Sequence, residues 1–251
     1  MDGCPIIPDV VPGLVLAATL AIGAAWAADT QSRTVNLPPG RSLTLEITVG
    51  DVRIVGEPRQ DAFIEIVRSV PGPEALARIP VTIEETATEV RVTAIQQAGE
   101  TDPALRTDVT LRVPHAASLT SIRLLEGRLR LSALRGFVTA DVRRGSIDAV
   151  DVEGTLRLET GIGDIVADRT TLSTGGLLRL RAFNGDVRLT LAGQPRDARV
   201  MALVLNGNIT SDIPLTMKDS WGPRWGEARL GKGEPVISID VVTGAIQIKV
   251  P

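Results

Sequence analysis

The sequence predicts an all-β protein, a β-solenoid of short stacked strands preceded by a smaller and less regular β region. Three observations lead to this prediction. Glycine recurs with a constant nine-residue spacing at positions 127, 136, 145, 154 and 163. Apolar and polar residues alternate after these glycines, as they do in strands with one buried face. The 251 residues include 24 Gly and 16 Pro without a long amphipathic helical pattern, which is typical of a β protein with many turns.

The predicted inward positions lie two, four and six residues after each glycine. For Gly127, Gly136 and Gly154 they are Leu129, Leu131 and Ala133, then Val138, Ala140 and Val142, then Leu156, Leu158 and Thr160. The residues between them are mostly polar. Two sixth places do not fit, because they hold Asp151 and Arg169. Shorter or slipped strands are expected there.

Two nine-residue halves make an 18-residue coil, and stacking explains why the unit repeats. A single short strand cannot bury its own apolar face, whereas coils about 4.8 Å apart cover one another. Gly127, Gly145 and Gly163 are expected on one edge, and Gly136 and Gly154 on another. The unit recurs after Gly176, Gly185, Gly207 and Gly244, with insertions at 169–175, 192–199 and 213–235. The alternative is an antiparallel sandwich whose hairpins share one length.

The chain divides into three predicted parts. Residues 1–27 form a signal peptide, 28–115 an N-terminal β region, and 116–251 the repeat region. The middle part contains short strand candidates, loops at 71–73 and 96–103, and one helical turn at 74–79. It is expected to cover the open end of the solenoid, because a terminal strand edge must be hidden.

The N-terminal segment has the pattern of an export signal. Val10 to Ala28 carries no charge, and Ala25-Trp26-Ala27 is a small-x-small cleavage site. The mature chain would begin near Ala28 and would lack Cys4, the only cysteine, so no disulfide or cysteine-based metal site is expected. The alternative is an uncleaved membrane anchor. The predicted location is outside the cytoplasm: periplasmic, cell surface or secreted.

Composition argues against several classes of protein. The formal net charge is -3, without the basic excess of a nucleic-acid-binding protein. Three Phe, three Trp and no Tyr leave little for an aromatic sugar-binding cleft. His115 is the only histidine, and no nucleophile-elbow motif accompanies it. No catalytic residue is therefore predicted, and His115 is interpreted as a turn residue.

Two aspartates stand at equivalent places directly after repeat glycines. Asp164 and Asp186 could share a Ca²⁺ ion if their strands are stacked. The calcium-binding nonapeptide pattern is not reproduced, however, and Asp after Gly commonly caps a turn. We predict a capping role, with no bound metal and no cofactor.

The recurring units also resemble a known family. Gly50-Asp51-Val52-Arg53-Ile54, Gly185-Asp186-Val187-Arg188-Leu189, the Asn-Gly corners at 184–185 and 206–207, and the closing Leu230–Pro235 and Thr243–Ile246 stretches are similar to the bacterial putative-adhesin domains. The resemblance covers about residues 33 to 250. It implies an exported or membrane-tethered β-solenoid forming one continuous domain. The family has no established catalytic residues to carry over.

Two sets of side chains are candidate contact residues. The first is a predicted basic strip on outward places: Arg128, Arg130, Arg157, Arg179 and Arg188, with Arg181 beside them. Such a strip could bind acidic glycans or phosphates, although mixed charges also make a soluble face. The second is the pair Trp221 and Trp225 on the longest insertion, which either marks a loop contact site or covers the last coil.

These patterns predict a non-enzymatic exported protein whose solenoid surface binds a protein or a glycan or lipid of the cell envelope. One alternative is a membrane-tethered sensory or regulatory ectodomain, which differs only in whether the N-terminal segment is retained. Another is a glycan-cleaving β-helix enzyme. Such an enzyme requires paired carboxylates, and no obvious pair is found.

Overall fold

A computed structural model describes residues 27–97, 99, 101–218 and 222–251. Within these ranges the chain forms nineteen β-strands and one short 3₁₀ helix, Pro73–Arg78, so the all-β prediction is confirmed. No helix in the described ranges is long and apolar enough to cross a bilayer. The predicted signal segment lies outside these ranges, apart from Ala27.

The first ten strands lie between residues 27 and 144. They are β1 Ala27–Asn36, β2 Ser42–Val49, β3 Val52–Glu57, β4 Asp61–Val70, β5 Val81–Glu85, β6 Glu89–Ala94, β7 Arg106–Pro114, β8 Ser118–Glu126, β9 Leu129–Ser132 and β10 Phe137–Arg144. The other nine follow. They are β11 Ile147–Val150, β12 Thr155–Ile162, β13 Ile165–Thr170, β14 Leu177–Asn184, β15 Val187–Leu191, β16 Ala198–Ser211, β17 Thr216–Lys218, β18 Arg224–Leu230 and β19 Val236–Lys249.

Most strands pair in parallel and fall into two ladders. The first ladder runs β6, β2, β8, β10, β12, β14, then the first halves of β19 and β16. The second runs β7, β3, β9, β11, β13, β15, then the second halves of the same two long strands. Parallel pairing is not the pattern of the antiparallel sandwich alternative.

The register follows the predicted period where there are no insertions. Leu129 pairs with Ile147, and Ile147 pairs with Ile165, so partners lie 18 residues apart. Insertions change the number of residues between partners, but inward residues still pair with inward residues. Leu156 pairs with Leu178, and Leu178 pairs with Ile237. The inward residues of both ladders join one hydrophobic cluster. Burying each Val, Ile or Leu stabilises the fold by about 1.5 to 3 kcal/mol relative to exposure.

Spatial order and chain order differ at the C-terminal end. β19 follows β16 in the sequence, yet it lies between β16 on one side and β14 and β15 on the other. The nine-residue repeat gives no sign of this interposition. The position of β19 between β14 and β16 determines which outward side chains are neighbours.

The prediction that the sixth residue after each glycine points inward is wrong for the second-ladder strands. Ala133 was predicted to point inward with Leu129 and Leu131, but it is only half-buried and has φ 54°. Asp151 and Arg169, the two misfits, occupy equivalent places with φ 54° and 50°. A left-handed residue turns the chain after two inward positions. The next residues, Leu134, Val152 and Thr170, are the buried ones instead.

Glycine corners hold the coils close together. Gly145 has φ +140°, and a Cβ built on it would lie 1.7 Å from the carbonyl oxygen of Gly127. The same close approach recurs through Gly50, Gly127, Gly145, Gly163, Gly185, Gly244 and Gly207. On the opposite corner a Cβ on Gly154 would lie 2.3 Å from the Gly136 oxygen. Both predicted sets of neighbouring glycines are therefore present.

Antiparallel strands cover much of each end. β5 pairs with β6, β4 with β7, and β1 with β4 at the N-terminal end. β18 covers the first half of β16, and β17 pairs with β18, at the C-terminal end. β2, β3, β6 and β7 belong to the parallel ladders, so the region before residue 116 contributes ladder strands as well as covering strands.

Candidate functional site

The predicted basic strip is divided between two faces of the molecule. Arg157 and Arg179 lie on β12 and β14 of the first ladder, where they are register neighbours. Arg128, Arg130 and Arg188 lie on or beside β9 and β15 of the second ladder. The five arginines therefore do not form one continuous surface.

Arginines on the second-ladder face sit among carboxylates. Arg188 lies 3.2 Å from Asp186 and 3.9 Å from Asp164. Arg128 lies 3.7 Å from Asp148. Arg130 has Asp148 as its register neighbour on one side. These exposed pairs give this face a mixed charge, as expected of a solvated surface.

The first-ladder face groups three arginines on two adjacent strands. Arg181 joins Arg157 and Arg179, and Asp240 of β19 lies 3.9 Å from Arg179 and 3.8 Å from Arg181. Arg181 also lies 4.0 Å from Glu159. Such long ion pairs between exposed side chains contribute little to stability, so the guanidinium groups are available to other acceptors.

Trp225 lies on this same face, and its position corrects one prediction. It is in strand β18 rather than on a loop, and it is half-buried beside its register partner Leu203. An antiparallel strand at this place satisfies the edge of β16, which is the covering role considered for the insertion. Lys218 lies over the indole ring, with Nζ 4.1 Å from its centroid. Trp221 lies outside the described residues.

Apolar outward side chains adjoin the arginines and Trp225. Phe183 is 64% exposed and Leu205 is 45% exposed. The flanking pairs of β14 and β16 with β19 place both residues beside Val242. With Met201, Leu203 and Trp225 they line a groove of about 750 Å³, which we call the apolar groove.

Sequence reasoning missed the apolar groove although a signal was present. Residues 200–205 read Val-Met-Ala-Leu-Val-Leu, with no polar residue at the alternate places. An uninterrupted apolar run in a strand indicates that both faces are covered or bind something. Phe183 is likewise an aromatic residue at an outward place, directly after inward Ala182.

The two repeat aspartates bind backbone. Asp164 Oδ1 accepts a hydrogen bond from the Asp186 amide at 2.8 Å, and Asp186 Oδ1 accepts one from the Ala245 amide at 2.9 Å. Each carboxylate thus caps the next coil, as the turn interpretation predicted. Within the described ranges, no group of three or more His, Cys, Asp and Glu side chains could hold a metal ion.

His115 also has a structural contact. Its Nδ1 lies 2.8 Å from the carbonyl oxygen of Ala133, one of the left-handed corner residues. Its backbone amide donates to the Glu57 carbonyl at 3.2 Å. His115 thus contacts Ala133 through its ring and Glu57 through its main chain, in keeping with a turn residue.

Two carboxyl groups with lowered pKa values lie on the N-terminal covering strands. A hydrogen bond from the Arg68 guanidinium lowers the pKa of Asp29. A hydrogen bond from Arg59 lowers the pKa of Asp61. These two ion pairs belong to β1, β4 and the residues beside them, and neither Asp29 nor Asp61 lines the apolar groove.

Comparisons with known proteins give likenesses among solved structures only. No family model and no characterised protein matches the chain. It is similar to a putative cell adhesion protein from Clostridium sporogenes, with 13% identity over 89% of this chain and 100% of that one, and a TM-score of 0.49. It is also similar to a putative adhesin from Bacteroides fragilis, with 11% identity over 88% of this chain and 97% of that one, and a TM-score of 0.39. A third similar structure is a putative lipid binding protein from Parabacteroides distasonis, with 7% identity over 88% of this chain and 96% of that one, and a TM-score of 0.35.

Proposed function

We propose that the protein is a non-enzymatic, adhesin-like binding protein of the cell envelope. In this proposal its coils form a β-solenoid, one continuous domain from about residue 33 to 250. The binding surface is the outer face of β12, β14, β19, β16 and β18. A rigid stack of this kind presents side chains in fixed rows, as repeat proteins do on their binding faces.

One observation carries this proposal: exposed apolar and basic side chains meet on a single face. Phe183 and Leu205 adjoin Arg179 and Arg181 there. A contiguous apolar patch beside charged residues marks contact sites on soluble proteins. Arginine and tryptophan are also enriched where partners bind.

The structural roles of His115 and of the two repeat aspartates support a non-enzymatic function. His115 bonds a backbone carbonyl, and Asp164 and Asp186 accept backbone amides of neighbouring coils. Groups engaged in this way hold the fold together. The glycan-cleaving alternative needs an acid and a second carboxylate across a substrate cleft, and we do not favour it.

Charge reversal tests which face binds. The Arg157→Glu/Arg179→Glu variant should lose most capture of solubilised envelope components by the immobilised protein. The matched variant Arg130→Glu/Arg188→Glu changes the same number of charges on the second-ladder face and should retain it. Capture is measured below the unfolding temperature of both variants. That temperature is expected to be lower for Arg130→Glu/Arg188→Glu, because Arg188→Glu faces Asp186 and Asp164. Equal capture by the two variants would contradict the proposal.

Export is a separate part of the proposal, carried by the N-terminal sequence pattern. Cleavage before Ala28 would leave Ala28 to Asn36 paired with β4, so the folded domain would keep its first strand. Sequencing the N-terminus of the mature protein decides between release and tethering. Recovery of Ala28 as first residue indicates release, whereas an intact Met1 in the membrane fraction indicates a tethered ectodomain.

A further inference from the structure

The lining of the apolar groove changes character from one row of outward residues to the next. The row of Phe183, Val242 and Leu205 crosses β14, β19 and β16 and is apolar. The neighbouring rows carry Arg179 and Arg181 of β14 beside Ser238 and Asp240 of β19. The apolar groove is thus polar and charged at one end and apolar at the other.

The charged end of the groove offers free hydrogen-bond donors rather than a net charge. Its lining includes two arginines, Arg179 and Arg181, and two acids, Glu159 and Asp240. The ion pairs between them are 3.8 to 4.0 Å long, which is beyond hydrogen-bonding distance. A carboxylate can therefore accept from both arginines, because each guanidinium group presents a fixed fork of donors.

The size of the apolar groove suits a small ligand. Its volume of about 750 Å³ lies within the range of small-molecule sites, about 300 to 1,000 Å³.

We propose that the apolar groove binds a free fatty acid. The acyl chain lies along Phe183, Val242 and Leu205, and the carboxylate binds Arg179 and Arg181 in competition with Asp240. This inference rests on the proposed function, since it names a ligand for the same face. It is a claim about one acyl chain and not about docking to a bilayer.

Tryptophan fluorescence can follow this binding directly. The chain has three tryptophans, Trp26, Trp221 and Trp225. A Trp26→Phe/Trp221→Phe variant therefore reports from Trp225 alone, inside the groove. Dodecanoate below its micelle concentration should shift the emission to the blue and saturate. Butyrate has the headgroup without the chain, and dodecyltrimethylammonium has the chain with the opposite charge, so both should bind at least about tenfold more weakly.

Variants at each end separate the two contributions, with calorimetry as a second measurement. Leu205→Ser should weaken dodecanoate binding about tenfold, since it removes apolar contact area at an exposed place. Arg179→Gln/Arg181→Gln should abolish the preference for dodecanoate over dodecyltrimethylammonium, because Asp240 is then unopposed. Arg130→Gln/Arg188→Gln, on the second-ladder face, should leave both affinities unchanged.

Any of three binding results would overturn the fatty-acid inference. They are no saturable signal with dodecanoate, equal binding by all variants that unfold at the wild-type temperature, or binding to anionic vesicles without binding of the monomer. Self-association through this face, seen by sedimentation, would also overturn it. If envelope capture still depends on Arg157 and Arg179 in any of these cases, the proposed function stands and only the ligand is wrong.

Discussion

The two outer faces of the ladders carry similar numbers of arginines but different surroundings. On the second-ladder face, Arg128 and Arg188 lie beside aspartates, and one of these, Asp186, also accepts a hydrogen bond from a backbone amide. On the first-ladder face, Arg179 and Arg181 share one aspartate and border exposed Phe183 and Leu205. A charged residue of the former face, Asp186, takes part in the fold, whereas Arg179 and Arg181 of the latter make only long ion pairs.

The difference shows that neighbours across coils matter more than composition along a strand. A strand of alternating residues presents half of them outward whatever the fold. Whether an outward arginine is neutralised depends on the residue 4.8 Å away in the next coil, about one strand spacing. Register and coil order set that residue.

The largest expected effect comes from the corners that keep both faces in register. Gly145→Ala should lower the free energy of unfolding by roughly 3 kcal/mol or more, because a Cβ would meet the Gly127 carbonyl and the φ of +140° is strained for alanine. Gly193→Ala is the matched control, since nothing lies within 4 Å of its added Cβ. Chemical denaturation measures both. Similar losses for the two variants would mean that the corners do not fix the coils.

Removing one carboxylate from each face tests their different roles. Asp186→Ala should cost about 1 to 2 kcal/mol, since the Ala245 amide and Arg188 both lose an acceptor. Asp240→Ala should cost under about 0.5 kcal/mol, because its ion pairs are long and partly solvated. Urea titration of the two variants supplies the comparison, and a larger loss for Asp240→Ala would reverse the assignment of roles.

The smallest effect concerns a third place where arginine meets a carboxylate, the N-terminal strand. Arg68 Nε donates to Asp29 at 3.1 Å and lowers the pKa of that carboxyl. The pKa is lower in the folded than in the unfolded state, so the pair stabilises β1 above the ordinary carboxyl pKa. That contribution is lost as the pH falls from the ordinary value through the lowered one.

Hydrogen exchange of the β1 amides at pH 5 and pH 3 measures this loss. Wild-type protection should fall between the two by under about 1 kcal/mol, because the Asp29 side chain is 34% exposed. Asp29→Asn should show weaker protection at pH 5 and little further change at pH 3. An unchanged pH dependence in that variant would assign the loss to other groups.

Much of the fold could be predicted from the sequence because strands and corners are local. Alternation gave the inward places Leu129, Val138 and Leu156, which are buried, and the nine-residue glycine spacing gave the corners. The sixth places were missed because a left-handed Ala133 cannot be recognised from its side chain. The strand that contains Trp225 was predicted to be a loop, because the insertion at 213–235 interrupts the repeat.

The candidate site could be predicted only in part. The sequence singled out Arg157, Arg179 and Trp225, but it also singled out Arg128 and Arg188, which lie on the other face. Proximity of Phe183 to Leu205 depends on β19 lying between their strands. No local pattern encodes that long-range arrangement, although the unbroken apolar run at 200–205 indicated an unusual strand.

The interposed position of β19 has a consequence for biosynthesis. Ribosomes deliver β16, starting at Ala198, before they deliver Val236 and the strand on which β16 rests. At about 5 to 20 residues per second this leaves a delay of roughly 2 to 8 s. During that time the parallel partner of β16 is absent, because every residue that pairs with β16 in parallel lies on β19. A premature stop codon before Val236 would remove the strand that joins β16 and β18 to β14 and β15.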